Sequence, residues 1–581
     1  MAALGPRETV DERRGFARTL GALGVWGPLR DPNVDQSRRA DRWDFVCAAA
    51  LAAVTVISRL PYRTRMLYNW DAVQFALALR EYDVVKHQPH PPGYVLYVAL
   101  GRLANAWLGD EAASYVLLAV AASGSTTFVV YFVARTIYDR PTALASAALL
   151  AVSPLFWFYG AVALTYAGEA LLASTVAYFS YRSLSGSRAD AWLGACYLGL
   201  AGGVRQSIIL LLGPLWALSV VLGTGRLSVL AVGVVILVAA ALTWFVPMIW
   251  LTGGLDRYLA ASRDLAETVV MPTSIVSGAF EATLRMSRHV LESVVVGLGP
   301  LALVALLVPW YVRRYGWTRR ESFLIGWSVP PILVYTLVHF GQAGYVLTFL
   351  PALVILLSHV LFAALRDAPG LSAHPRARAA FATAAVAGIV LVNSSFFVSA
   401  RPLPRDFDTP KPRWQQIAED EVFDWVFSRT AAALAEHEAV VRTFVESIRG
   451  LFPAEETVVL TELGNPRTYP WLRHAMFYLP EFTVYELRVG DVLPGYYAPR
   501  LSSAMTPFPD TEIHLPSRVR RLVWFVDHWS PGSERPDGLT EIELPYGRYL
   551  YVLPIRTSRV EYAGYSFIRD DPPRRGRRAE G

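Results

Sequence analysis

Apolar and polar positions fall into two regimes along the chain. From residue 44 to residue 400, long apolar runs are separated by short polar stretches; beyond Ala400 the runs shorten and begin to alternate. A helix needs about 20 apolar residues to cross the hydrocarbon core of a bilayer. The first regime predicts spans near 44–60, 115–138, 143–160, 164–182, 190–205, 207–222, 228–251, 290–312, 321–340, 345–365 and 378–400, about eleven in all. The run 94–108 is apolar but short, and Gly101, Arg102 and Asn105 interrupt it, so it predicts a helix lying in the interface. In the second regime "RPLPRDFDTPKP" (401–412) is a Pro-rich linker. Residues 413–450 carry a helical period, with Ile417, Val422, Phe423, Trp425 and Val426 set between charges. The runs "TVVLTEL", "FTVYELRV", "RVRRLVWFVD", "GRYLYVLPI" and "YAGYSFI" are rich in β-branched and aromatic residues, bounded by Pro and Gly, and predict strands. The expected fold is an α-helical polytopic membrane protein, 44–400, followed by a soluble α/β domain, 413–570. Residues 1–43 read as a polar tail and 571–581 as a basic one. The first apolar run comes too late for a secretory signal peptide and reads as an uncleaved anchor.

Arginines set the expected orientation. With the N-terminus in the cytoplasm, the inside turns hold Arg135, Arg140, Arg182, Arg188, Arg226, Arg313, Arg314, Arg319, Arg320, Arg366, Arg376 and Arg378, as the positive-inside rule requires. An odd number of spans then puts the C-terminal domain on the other side, with the long segments 61–114 and 252–289. The expected location is the cell (inner) membrane.

Composition agrees. Charged residues make up 18% of the chain and hydrophobic ones 54%, whereas a soluble domain carries about 25% charged residues. Cys47 and Cys196 both lie in apolar runs, which argues against a disulfide framework or a cysteine metal site. The net charge of +6 comes from arginines flanking spans and from Arg574, Arg575, Arg577 and Arg578 in the tail. A nucleic-acid partner is therefore not expected.

Candidate chemistry begins at "NWDAVQFALALREYDVVKHQPHPPGYVLY", Asn69–Tyr97. Asp71 opens a predicted amphipathic helix. It reads either as a carboxylate favoured by the helix N-terminus or as a general base at the membrane surface. The prolines of "HPPGY" fix φ and Gly93 allows a tight turn, which is also what a rigid lead into the 94–108 helix needs. His87 and His90 fit hydrogen bonding to a phosphate or a sugar better than a metal, since no third ligand is visible. Arg205 in "GGVRQS" and Glu169 are charges in apolar surroundings. Such residues face the bundle interior and mark sites, or pair with each other. His339, Gln342 and Tyr345 lie at another span end and can line the same cavity.

Taken together, the first span, an early aspartate and "HPPGY" resemble the polyprenyl-phosphate-dependent glycosyltransferases of the GT-C fold. The resemblance is to the protein O-mannosyltransferase and lipid A aminoarabinose transferase-like families. "ALASAALLAVSPLFWFYGAVALTYAGEALLA" (143–173), "GGVRQSIILL" (202–211) and "HFGQAGYVLTFLPAL" (339–353) match in kind. The resemblance covers about 45–400. It implies inverting transfer of a hexosyl or pentosyl group from a polyprenyl-phosphate-linked sugar to a hydroxyl of an acceptor protein, lipid or glycan, with membrane lipid as a further partner. Asp71 takes the place of the family's catalytic aspartate. Many relatives carry a second acidic residue next to it, where this chain has Ala72, and an Arg-Tyr pair where it has Gly344-Tyr345. Donor-phosphate binding then falls to Arg205, or to Arg263 and its neighbours Arg257, Arg285, Arg288 and His289 in the 252–289 segment. No cofactor is assigned; a divalent metal stays open. The rival readings are a transporter or flippase of a lipid-linked molecule, which internal repeats would favour and none is seen, and a catalytically inactive scaffold of the same fold.

Overall fold

A computed structural model of the chain describes residues 40–339, 341–370, 373–402, 424–465, 467–491, 511–530 and 533–570. The expected N-terminal tail up to residue 39, the whole expected C-terminal tail and almost all of the linker lie outside the described residues, as do Ile417, Val422 and Phe423 of the expected 413–450 helix; Arg42 and Trp43, expected in the tail, already belong to the first helix. Among the described residues, eight helices are long and apolar enough to cross a membrane. They are Arg42–Tyr62, Glu111–Ile137, Ser207–Thr224, Leu227–Thr252, Phe280–Tyr315, Arg319–Val338, Leu350–Asp367 and Pro375–Ser399. The other expected spans are carried by shorter or less apolar helices, and the chain is a multi-pass membrane protein.

Three boundaries differ from expectation. The run 143–160 is not one helix: it breaks at Ser153 into Arg140–Ala151 and Pro154–Tyr159. Pro154 has no N–H to give and disfavours helical geometry at the residue before it. The fully buried Arg59 closes the broken end, its Nη2 donating to the carbonyl of Ala151 at 2.6 Å. The run expected at 290–312 starts at Phe280, so Arg285, Arg288 and His289 belong to a helix rather than a loop. The run expected at 345–365 becomes helical at Leu350, after a 3₁₀ segment Ala343–Thr348.

The short apolar run forms the helix Val95–Leu108, with Tyr97, Val98 and Gly101 packed and Leu103 and Trp107 exposed. At the end of the molecule away from the C-terminal domain, buried Asp44 ties three helices together. It accepts from Tyr131 Oη at 2.8 Å, Arg135 Nε at 3.2 Å and Arg140 Nε at 2.8 Å.

The C-terminal domain is α/β. Its main sheet has the order β2-β1-β4-β6-β5, built from β1 (Thr457–Leu463), β2 (Thr483–Arg488), β4 (Arg521–Trp524), β5 (Thr540–Leu544) and β6 (Arg548–Pro554). β1 runs parallel to β2 and β4, while β6 is antiparallel to β4 and β5. A second sheet, β3-β8-β7, combines β3 (Glu512–Leu515), β7 (Arg559–Tyr562) and β8 (Tyr565–Arg569). Helices Ala431–Leu451 and Leu472–Tyr478 cover one face of the main sheet through Val441, Phe444, Ile448 and Leu472. The other face packs Leu460 and Trp524 against Tyr562 and Phe567 of the second sheet. The unanticipated strands, β3, β5 and β7, are edge strands of alternating or charged sequence, the composition that keeps exposed edges from pairing.

This domain sits on the segment that follows the first span. The N–H of Leu67 donates to Tyr478 Oη at 2.8 Å, and that of Trp70 to Tyr469 Oη at 2.8 Å. His474 Nε2 lies 2.9 Å from the carbonyl of Leu67. Met66 and Trp70 extend the domain's apolar core into the membrane body.

Candidate functional site

Asp71 lies in the first turn of the helix Trp70–Arg80, whose N-cap is Asn69; Asn69 Oδ1 accepts from the Asp71 N–H at 2.7 Å. The partial positive charge of that terminus favours a carboxylate there. The helix is not amphipathic and interfacial as expected: Ala72, Val73, Gln74, Phe75, Ala76, Leu77 and Ala78 are all buried. A helix buried around its circumference over residues 72–78 belongs inside a fold, and this one is packed against the C-terminal domain. Asp71 keeps 27% of its side-chain surface accessible. Burial pushes its carboxyl up to about 6, against the pull of Arg205 and Arg473.

The "HPPGY" turn brings His90 to it. Gly93 has φ 101°, and a Cβ there would meet Met248 Sδ and Tyr82 Oη at 2.9 Å each, so the position requires glycine. Tyr94 also has a left-handed φ, 42°, a strained conformation for a bulky residue that the surroundings must hold. The turn is held by Tyr82 Oη donating to the Gly93 carbonyl at 2.7 Å and Gln206 Nε2 donating to that of Pro92 at 3.1 Å. His90 Nδ1 stands 2.6 Å from Gln74 Oε1 and 3.7 Å from Asp71 Oδ1, and its Nε2 stands 3.0 Å from Tyr94 Oη. Gln74 Oε1 only accepts, so Nδ1 carries the proton and Nε2 accepts from the tyrosine. Burial, aided by Arg205 and Arg473, pulls the imidazole down to about 3. The ring is neutral at physiological pH, and its approach to Asp71 is not an ion pair.

Arg205 caps the end of the helix Arg188–Val204. Its Nη1 lies 2.9 Å from Glu169 Oε1 and donates to Thr165 Oγ1 at 3.3 Å. The guanidinium is ringed by Tyr345, Tyr166 and Tyr94, with centroids at 4.6, 5.4 and 5.8 Å, an arrangement that stabilises a desolvated cation. Tyr166 Oη donates to Gln342 Oε1. Tyr345 stacks on Tyr335 at 4.5 Å and meets His339 edge-on at 5.3 Å. Gly344 has no room for a side chain: a Cβ would lie 2.4 Å from the Tyr166 ring. The Tyr166 ring thus takes the space at residue 344.

Of the residues singled out from sequence, Asp71, His90, Glu169, Arg205, His339, Gln342 and Tyr345 form one neighbourhood. His87 is buried beside it, in the field of Arg473 and His90. Arg263 does not join them; it is exposed on the helix Leu255–Leu265. Among the described residues, no group of three or more His, Cys, Asp or Glu side chains converges as a metal site would require. Sequence reading missed Tyr94, Tyr166 and Tyr335, since tyrosines in a membrane bundle are common packing residues. It also missed Arg473, nearly four hundred residues away in a domain with no motif.

Residues 89–250 match the dolichyl-phosphate-mannose-protein mannosyltransferase family. That stretch holds His90, Glu169 and Arg205, begins after Asp71, and upholds the family resemblance over its length. Among solved structures, the chain is similar to ArnT from Cupriavidus metallidurans bound to undecaprenyl phosphate. The TM-score is 0.49 and the identity 13%, covering 87% of this chain and 97% of that one. It is also similar to the archaeal oligosaccharyltransferase AglB from Archaeoglobus fulgidus in complex with an inhibitory peptide and a dolichol-phosphate. There the TM-score is 0.42 and the identity 12%, covering 83% of this chain and 69% of that one. No curated protein matches the chain significantly.

Proposed function

We propose that the protein is a membrane glycosyltransferase that moves a sugar from a polyprenyl-phosphate donor to an acceptor hydroxyl, with inversion at the anomeric carbon. The observation that carries this reading is the meeting of a half-buried carboxylate, Asp71, with a caged guanidinium, Arg205, across a ring of tyrosines. The acceptor oxygen attacks the anomeric carbon from the Asp71 side and its proton passes to the carboxylate. The bond between the anomeric carbon and the phosphate oxygen breaks, and its electron pair leaves with the polyprenyl phosphate. A carboxyl near 6 suits this work, being ionised at neutral pH while remaining basic enough to take a proton. General-base action supplies about 10²–10⁴-fold. Arg205 offers the leaving phosphate a cation whose position Glu169 and Thr165 hold in advance. His90 orients Gln74 and Tyr94 beside the base. The arginine pattern assigns this side of the membrane to the non-cytoplasmic face.

The test is transfer of label from polyprenyl-phosphate hexoses and pentoses in membranes containing the wild type or D71N. Product with the wild type alone supports the reading. Equal transfer by both removes Asp71 from the chemistry. No transfer, with movement of the lipid across vesicles, turns the reading to a flippase.

A further inference from the structure

The helix Leu472–Tyr478 of the C-terminal domain places a fully buried arginine, Arg473, against the segment that carries Asp71 and His90. Its Nη2 donates to the carbonyl of Lys86 at 3.1 Å, next to His87, and its guanidinium lies 5.4 Å from the ring centre of Trp70, next to Asp71. Both contacts belong to the membrane body, and both touch the immediate chain neighbours of the candidate site. A buried guanidinium is costly unless hydrogen bonds and charges compensate it. The hydrogen bond to Lys86 and the contact with Trp70 both cross the domain boundary, so docking of the domain contributes to that compensation.

We infer that Arg473 is a positioning residue for the transfer chemistry: it clamps the Lys86–His90 turn to the start of the Trp70–Arg80 helix and adds a positive field to Asp71. This rests on the reading of Asp71 as the base. The groups acting on Asp71 are Arg205, Arg473 and neutral His90, and the hydroxyls of Tyr94, Tyr166 and Tyr345 lie in its field. Glu169 faces Arg205 at 2.9 Å and offsets its charge. The acidic group in the field of Arg473 from its own domain is Glu486 on β2, which is buried. Burial pushes that carboxyl up to about 8, so at neutral pH it is largely protonated and leaves the field of Arg473 intact. The C-terminal domain is, on this account, part of the catalytic apparatus rather than only a lid.

The experiment compares pH–rate profiles of full-length wild type, R473Q, R473K and Y478F with a labelled polyprenyl-phosphate sugar. Y478F loosens the same interface, through Leu67, without touching the charge. We expect R473Q to move the acid limb of kcat/KM up by about half a pH unit or more and to lower kcat about tenfold or more. R473K keeps the limb in place but loses kcat, because an ammonium does not reproduce the planar fork. Y478F leaves the limb in place. R473Q with a wild-type limb and kcat overturns the inference while leaving Asp71 as the base. If R473Q is not recovered folded, R473K decides: wild-type kcat overturns the positioning role, and a lowered kcat on an unmoved limb supports it. A wild type without turnover, or an active D71N, overturns the reading of the base itself and this inference with it.

Discussion

Arg205 and Glu169 form an ion pair at 2.9 Å in which the carboxylate is completely buried and the guanidinium is roofed by Tyr345. A buried pair is poor evidence for stability on its own, because desolvation of two charges offsets their attraction. On the proposed reading, its geometry supplies a preorganised cation for a leaving phosphate. The pair can therefore be dissected. E169Q and R205M each strand one charge, and each should cost about 3–5 kcal/mol of stability. The double variant should regain most of that, by thermal unfolding in detergent, yet remain without transfer. Restored transfer in the double variant would show that the cation has no part in the chemistry.

Asp71 sets a pH dependence whose sign follows from its raised carboxyl. On the proposed reading the base works when deprotonated, so kcat/KM should fall about tenfold per pH unit well below 6 and level off above it. The same shift acts on stability in the opposite sense. A carboxyl raised from 3.8 to about 6 makes the folded state bind its proton more tightly. The destabilisation from ionised Asp71 is complete above pH 6, shrinks between pH 6 and 3.8, and vanishes below. D71N should therefore melt higher than the wild type at pH 8 and equal to it near pH 3.5, while being inactive throughout. A lower melting temperature for D71N at pH 8 would contradict the assigned burial.

Gly344 tests the tyrosine cage. Alanine there drives a methyl into the Tyr166 ring, which must shift away from Gln342 and Arg205. Overpacking of this kind costs about 1–3 kcal/mol. We expect KM for the lipid-linked donor to rise more than kcat falls. Adding Y166L to G344A should recover stability but not donor affinity.

His90 is neutral and hydrogen-bonded at both nitrogens. H90Q should lower kcat about tenfold through loss of Gln74 and Tyr94 orientation and leave the acid limb of the pH profile where it was. A limb that vanished with H90Q would transfer the titrating role from Asp71 to His90.

The membrane class, most helix positions and five of the eight strands were legible because each rests on local pattern: a span needs an unbroken apolar run, and an inner strand needs β-branched residues between turns. The broken 143–160 helix was missed although "SP" at Ser153–Pro154 signals it, since apolarity alone carries on through the proline. Strands β3, β5 and β7 were missed because edge strands are charged. Asp71, His90, Arg205 and Glu169 stood out because charge and special turns are rare in apolar surroundings. Arg263 was singled out from its place in the 252–289 segment and proved to be an exposed residue apart from the site.

The sequence alone determined the membrane body, the α/β domain behind it, and which polar residues had to find partners inside the bundle. Only the tertiary structure decided which partners those were: Glu169 for Arg205, three tyrosine faces around the guanidinium, Tyr166 in the space beside Gly344, and Arg473 reaching the turn before His90. The reason is physical. Apolar burial depends on periodicity, which neighbours in the chain already express. Pairing of buried charges depends on contacts between segments distant in sequence, and no local pattern records where those segments meet.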